Sequence, residues 1–191
     1  MTVMMQRAQF DVGDFVLDFP RPPELMDGVT VVGEFVDMNP SLATLRGEGI
    51  SQALAILEPC GVNPPHVHPG SDELALVMEG GPITSGFIEE NNGRILMVDV
   101  KKGESCFQPQ GLMNFQFNDN CEEATFVASF RERDPGVTTI ASNFFKFVPP
   151  GVLRAALGLN DDEIHKLQQS VDGAKNVDPV CAKRCKLEGY Y

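Results

Sequence analysis

Two of the three histidines in this chain are separated by a single residue, and an acidic residue follows shortly after the second. His66 and His68 at positions i and i+2 point to the same side of an extended strand. Glu73 can return to that side because residues 69–72 (PGSD) are turn-forming. Two imidazoles and one carboxylate on one face make an open three-ligand site for a divalent metal. The pattern favours this site over the simpler interpretation of two surface histidines beside a Pro-rich loop.

Short β runs must position these side chains. From about residue 30 to residue 147 the sequence is strand-like, with turns such as Gly80-Gly81-Pro82 and Asn118-Asp119-Asn120 between the runs. Many short strands at nearly even spacing predict a β-sandwich or barrel. We therefore divide the chain into an N-terminal arm (1–30), a β-barrel (31–148) and C-terminal helices with a tail (149–191).

Helical signals replace the strand signals after Pro149-Pro150. Residues 151–157 predict a short helix that ends at Gly158. Asn160 and Glu163 form the sequence pattern of a capping box. An apolar stripe at helical spacing follows, made of Ile164, Leu167 and Val171.

Composition excludes several classes of partner. The 191 residues carry a formal net charge of −12, which argues against nucleic acids and anionic membrane surfaces. The first residues lack the apolar run of a signal peptide, and Asp11 and Asp14 lie where that run would be. We expect an intracellular protein, unless a leader segment has been removed.

Five cysteines leave at least one free thiol if the others pair. The spacing of Cys181 and Cys185 is wrong for a redox CxxC motif. No second pair is present to complete a zinc ribbon, so we do not expect zinc there. Cys106 lies in a predicted strand and is interpreted as a small core residue.

Two blocks of sequence together resemble the motifs of the germin-like cupins. The first block is Gly61, His66, His68, Glu73 and Gly80, and the second is Gly103, Pro109, Gly111 and Asn118. Further features resemble the spherulin-like branch of that family: Pro59-Cys60-Gly61, Asn120-Cys121-Glu122, Asp134-Pro135-Gly136, the run 141–145, and the tail from Cys181 to Cys185.

The resemblance implies an all-β fold, an antiparallel jelly-roll β-barrel with a C-terminal helical extension. It also implies a homo-oligomer (a trimer, a hexamer or a dimer) and a pairing of Cys60 with Cys121. The family is commonly secreted, in contrast to the intracellular location expected from the N-terminus.

One departure from the family pattern concerns the metal. Asn114 stands where the second motif has its histidine, the family's third imidazole ligand. An amide oxygen is a weaker donor to the metals that imidazole favours. Two outcomes stay open. Either His66, His68 and Glu73 hold the metal alone as a facial triad, or the site is weakened or vestigial. The ligands suit one divalent ion of Mn, Fe, Ni or Zn.

A second departure concerns the substrate. Asn63 matches an asparagine of germin oxalate oxidases, but Ala53 replaces the second one. Oxalate oxidase and superoxide dismutase activities are therefore doubtful. A larger or less polar substrate would suit a site lined by Asn63, Ala53, Ala75, Val77, Met113 and Gln116. The alternative is that these residues only fill the barrel.

The resulting hypothesis is a metal-dependent enzyme that acts on a small organic molecule inside the barrel. Glu73 and Asn114 are the predicted catalytic residues, with Asn114 either a weak fourth ligand or a hydrogen-bond donor to substrate. Oxidation, oxygenation and isomerisation stay open, with a biosynthetic role as one setting. The alternatives are a non-enzymatic spherulin-like stress or sporulation protein and a cupin that binds a small ligand.

Overall fold

The computed structural model of the chain describes residues 28–35 and 49–190. The predicted N-terminal arm lies almost entirely outside these residues. The described strands are β1 (Val29–Phe35), β2 (Ser51–Leu57), β3 (Val62–Val67), β4 (Glu73–Glu79), β5 (Ile83–Ile88), β6 (Ile95–Val100), β7 (Ser105–Gln108), β8 (Met113–Phe117), β9 (Ala124–Phe130) and β10 (Thr138–Thr139). The described helices are α1 (Ile140–Phe147), α2 (Pro150–Leu157), α3 (Asp161–Asp172) and α4 (Pro179–Cys185).

The strands form two antiparallel sheets, which confirms the predicted jelly roll. One sheet has the order β1-β2-β9-β4-β7 and the other β10-β3-β8-β5-β6. In β9 buried and partly exposed residues alternate along the whole strand, because successive side chains point to opposite faces of a sheet. The inward side chains of β2, β4 and β9, together with Ile83 and Val100, make one hydrophobic core.

The sheet pairings also set the position of the predicted ligands. His66 on β3 pairs with Asn114 on β8, and Glu73 on β4 pairs with both Phe130 on β9 and Gln108 on β7. The histidines and the acid therefore come from different sheets. The inner face of the barrel brings them together.

The helices confirm two predictions. Helix α2 ends at Gly158, which is in the left-handed conformation. Helix α3 begins with the expected capping box, in which the side chains of Asn160 and Glu163 each accept from the other residue's backbone N–H. Ile164 of the apolar stripe is buried. The capping box satisfies backbone donors at the start of α3, and the N–H of Gly158 donates to a backbone carbonyl at the end of α2.

Residues 140–147, expected to be strand-like, form helix α1 instead. Ile140, Phe144 and Phe147 recur at helical spacing, and the amide of Asn143 donates to the carbonyl oxygen of Thr139 at 2.9 Å. The expected strand-like region extended to Phe147, whereas the spacing of these apolar residues fits a helix.

The disulfides differ from the predicted pairing. Cys60 is bonded to Cys181 and Cys121 to Cys185, so the expected Cys60–Cys121 bond is wrong. Cys106 is the free thiol among the described residues, and burial raises its pKa. Disulfides are typical of oxidising compartments, whereas the intracellular location stays a prediction. Among the described residues, no helix is both long and apolar enough to cross a bilayer.

Candidate metal centre

The three predicted ligands converge inside the barrel. His66 lies near the end of β3, His68 follows that strand, and Glu73 is the first residue of β4. Their ligand atoms all lie within 4.8 Å of one another. His66 and Glu73 are only 3% and 2% exposed. The structure thus brings together the set that the sequence pattern predicted.

Backbone carbonyls fix the orientation of both imidazoles. Nδ1 of His66 lies 2.8 Å from the carbonyl oxygen of Pro64, and Nδ1 of His68 lies 2.6 Å from that of Gly136. A carbonyl can only accept, so each Nδ1 carries the proton. Each neutral ring then keeps its Nε2 lone pair for another partner. This arrangement is typical of metal-binding histidines, whose second nitrogen is held by an outer hydrogen bond.

The carboxylate of Glu73 lacks a donor that would satisfy it. Its Oε2 is buried and has no hydrogen-bond partner among the described residues. Nε2 of His68 lies 3.4 Å from this oxygen, but both atoms present lone pairs if the ring is neutral. An unsatisfied buried anion is costly. A divalent cation would accept both lone pairs, so the donor set fits a metal.

The protonation of His66 is consistent with the same role. Burial lowers the pKa of His66, and the Pro64 carbonyl and the Glu73 carboxylate oppose this effect only in part. The neutral form, which is the form that binds metals, is therefore favoured.

Asn114 is buried opposite His66, but its amide already has partners. Its Nδ2 lies 3.4 Å from the carbonyl oxygen of His66, and its Oδ1 accepts from Nε2 of Gln116 at 3.1 Å. Oε1 of Gln116 in turn accepts from Nδ2 of Asn63 at 2.7 Å. The three amides form one chain of hydrogen bonds. This chain ties β8 to β3 beside the ligands.

A cavity of about 530 Å³ opens next to the three ligands. Ala53 and Asn63 line it, as predicted, together with Ala55, Phe126, Ala128, Phe130, Val31, Asp134, Pro135, Gly136, Val137 and Thr139. Its wall is mainly apolar. The polar groups concentrate near the ligands and the loop 134–136.

Other predicted lining residues lie elsewhere. Val77 belongs to the hydrophobic core, and Gln116 is buried in the amide chain. Neither they nor Asn114 line the cavity. Met113 is a clear correction, because alternation along β8 places it on the strand face opposite to Asn114 and Gln116.

Two features of the site were missed in the sequence. The first is the carbonyl of Gly136, which orients His68 from 68 residues away. The sequence showed the Asp134-Pro135-Gly136 turn, but it did not show that His68 is the partner of this turn. Gln108 is the second. It lies opposite Glu73, its Nε2 donates to Oγ of Ser85 at 2.6 Å, and its buried Oε1 has no partner in the described part of the chain. No sequence signal marked it.

Comparisons with known proteins agree with this fold. The sequence profile described as Cupin matches residues 29–165. The chain is 33% identical to spherulin-1A of Physarum polycephalum over 146 residues, which are 73% of this chain and 56% of that protein. It is 39% identical to germin-like protein 8-2 of Oryza sativa subsp. japonica over 137 residues, 71% of this chain and 60% of the relative.

Among solved structures, oxalate oxidase in complex with the substrate analogue glycolate superposes with a TM-score of 0.76 at 28% identity. The match covers 89% of this chain and 86% of that one. The chain spans a little over half the length of the curated relatives described above.

Proposed function

The chain belongs to the cupin family, in its germin-like branch, and from that premise we propose that it is a metal-dependent enzyme. One divalent ion is bound by His66, His68 and Glu73. The substrate is a small organic molecule held in the adjoining cavity.

One observation carries this proposal. The buried Oε2 of Glu73 has no donor among the described residues, and it faces the lone pair of His68 Nε2 at 3.4 Å. Two acceptors at this distance repel each other unless a cation lies between them. The carbonyls of Pro64 and Gly136 hold the rings in the tautomer that leaves each Nε2 lone pair available to such a cation.

The metal would supply Lewis-acid activation of a bound carbonyl or enol, or redox chemistry if the ion is iron or manganese. The remaining work falls to the chain itself. The amide chain from Asn63 to Asn114 fixes the strand that carries His66. The loop 134–136 fixes His68 and forms part of the cavity wall. We assign Asn114 to positioning, because Gln116 already occupies its amide oxygen.

The wall of the cavity selects the substrate class. Ala53, Ala55 and Ala128 line the space with methyl groups, and Phe126 and Phe130 lie beside them. A small dicarboxylate would lose water there without gaining donors. We therefore propose a small acid, ketone or enol with an apolar portion, whose polar end faces the metal. Oxidation, oxygenation and isomerisation are all compatible with this site.

A second candidate function is a cupin that binds a ligand without turnover, or a non-enzymatic spherulin-like protein. The presence of Asn114 in place of an imidazole favours it, since one fewer nitrogen ligand weakens metal binding. The apolar cavity would serve a binding protein equally well.

We also propose that the chain forms a homo-oligomer. Ile95, Leu96, Met97 and Val98 of β6 are between 37% and 58% exposed. Among the described strands, β6 pairs with β5 alone, so its other edge is unpaired. Its apolar side chains are exposed on both faces of the sheet. Such an edge is prone to pairing with another chain. A second copy would cover it.

Elemental analysis of the purified protein tests the function directly. We expect one equivalent of a transition metal per chain, and its loss in His66→Ala. Small organic acids should then perturb the spectrum of the bound ion. A protein that is fully folded but takes up no Mn, Fe, Ni or Zn on titration would exclude the metal-dependent enzyme and leave the ligand-binding protein.

A further inference from the structure

A second cluster of potential metal ligands lies at the C-terminal tail. The tail cysteine cluster consists of Cys60, Cys121, Cys181 and Cys185. Its four sulfurs form two disulfides that touch each other: Sγ of Cys185 lies 3.6 Å from Sγ of Cys60 and 4.0 Å from Sγ of Cys181. The sulfurs of Cys60, Cys181 and Cys185 all lie within 4.8 Å of one another. The fourth cysteine, Cys121, is bonded to Cys185.

These distances suit a metal better than disulfide exchange. Thiol–disulfide exchange needs the attacking sulfur on the axis of the bond that breaks. Cys185 lies beside the Cys60–Cys181 bond instead, because it is almost equally far from both sulfurs. Around a tetrahedral zinc with Zn–S bonds of about 2.3 Å, neighbouring sulfurs are about 3.8 Å apart. The two contacts between the disulfides already bracket that spacing.

We propose that the tail cysteine cluster binds one Zn²⁺ ion when its two disulfides are reduced. Each disulfide takes up two electrons and two protons from a thiol reductant, and Zn²⁺ then displaces the four thiol protons. Four thiolates with no open position make a closed, structural type of site. The same residues thus tie the tail to the barrel through disulfides in oxidising surroundings and through zinc in reducing ones.

The sequence concealed this site because its ligands come from separate elements. Cys60 follows β2, Cys121 precedes β9, and the other two lie on α4. A zinc ribbon, by contrast, would have shown two close pairs.

The surroundings favour thiolate ligands. Nη2 of Arg184 lies 3.1 Å from Sγ of Cys181 and is itself held by Asp119. A guanidinium at this distance stabilises the negative charge that a thiolate carries. Cys60 and Cys181 are fully buried, whereas Cys121 is exposed. Solvent and metal can therefore reach the cluster from the Cys121 side.

Cobalt(II) is the probe that separates this site from the barrel. The full chain is reduced without oxygen by a phosphine and titrated with Co²⁺. Thiolate ligands give an intense sulfur-to-cobalt charge-transfer band, which the nitrogen and oxygen ligands of the barrel cannot give. We expect one equivalent of cobalt with this band, and its displacement by Zn²⁺. The oxidised chain should show no such band.

Two variants complete the test. Cys185→Ser leaves three of the four thiolates and should lower the intensity of the charge-transfer band and the affinity for cobalt, whereas Cys106→Ser, which removes the free thiol, should leave both unchanged. Zinc should also raise the Tm of the reduced wild-type chain and slow the alkylation of four of its five thiols. A reduced chain that is folded by circular dichroism but shows no thiolate band would overturn the proposal. So would a band in Cys185→Ser that has the same intensity as in wild type. Either result leaves the proposal of a metal site in the barrel unaffected.

Discussion

Nε2 of His68 and Oε2 of Glu73 lie 3.4 Å apart inside the barrel with no hydrogen bond between them. The ring cannot donate from Nε2 while Nδ1 donates to Gly136, unless it is protonated. The pair is therefore either a pair of metal ligands or a charged pair that stabilises the fold. The two interpretations make opposite predictions for one substitution.

Glu73→Gln removes the charge and keeps the shape. We expect metal affinity to fall by more than the ~10–100-fold that loss of an outer-shell partner costs. The metal-free protein should become more stable by about 1–3 kcal/mol, because an unsatisfied buried anion is gone. Metal titration calorimetry and chemical denaturation measure the two effects.

Glu79→Gln is the matched control for this experiment. Glu79 lies on the same strand, is exposed, and pairs with Lys102 at the surface. Such a pair contributes only ~0–1 kcal/mol. Neither the metal affinity nor the stability of the metal-free protein should therefore change appreciably. A metal-free Glu73→Gln protein that is less stable than wild type would show that Glu73 serves as a structural ion pair.

The metal ligands could be predicted from sequence because they are local. His66, His68 and Glu73 lie within eight positions of one another, so strand alternation and one turn were enough to place them together. The capping box of α3 was equally local. The family resemblance then supplied the barrel, which alternation alone left undecided between sandwich and barrel.

Contacts between residues far apart in the chain could not be predicted from the sequence. Cys60 bonds to a partner 121 residues away, and the choice among four candidate partners depends on where α4 docks. The Gly136 carbonyl that orients His68 carries no side-chain signal at all. Met113 was predicted wrongly for a different reason. Alternate residues of β8 point into and out of the barrel, and the apolar character of Met113 did not reveal on which face it lies.

Asn114→His tests whether this position can reach the ion. The residue lies directly opposite His66 in the strand register. We expect metal affinity to rise by ~10-fold or more, because an imidazole is the better ligand. Asn114→Leu is the control, since it breaks the same hydrogen bonds without adding a ligand. Equal metal affinity in wild type and Asn114→His would place residue 114 outside the coordination sphere.

Gly136→Ala tests the loop that orients His68. Gly136 has φ +62°, and a Cβ there would lie 3.1 Å from Cγ of Pro69. The left-handed conformation should cost about 1–2 kcal/mol of stability, and the displaced carbonyl should weaken metal binding about 10-fold. Gly103→Ala is the control, since Gly103 has φ +82° and its Cβ would meet no atom within 4 Å. It should lose similar stability and keep the metal affinity. Equal affinities in the two variants would mean that Gly136 does not position His68.

Charged residues on β6 test the proposed assembly. Met97→Glu combined with Val98→Lys places charges on both faces of the exposed strand, which should prevent a second copy from covering it. Light scattering after size exclusion should show the mass of one chain instead of an oligomer. Val180→Lys changes an exposed apolar residue of α4 and should leave the mass as in wild type. A wild-type chain that is already monomeric would refute the assembly.

A series of straight-chain monocarboxylates tests the substrate class. In the metal-loaded protein each added methylene should strengthen binding by up to about 0.8 kcal/mol until the cavity of about 530 Å³ is filled. Oxalate should bind no better than acetate, because Ala53 offers it no donor. Ala53→Phe fills the apolar wall and should abolish the dependence on chain length while keeping the affinity for acetate. A wild-type protein that prefers oxalate would show that the polar end of the site, and not its apolar wall, determines specificity.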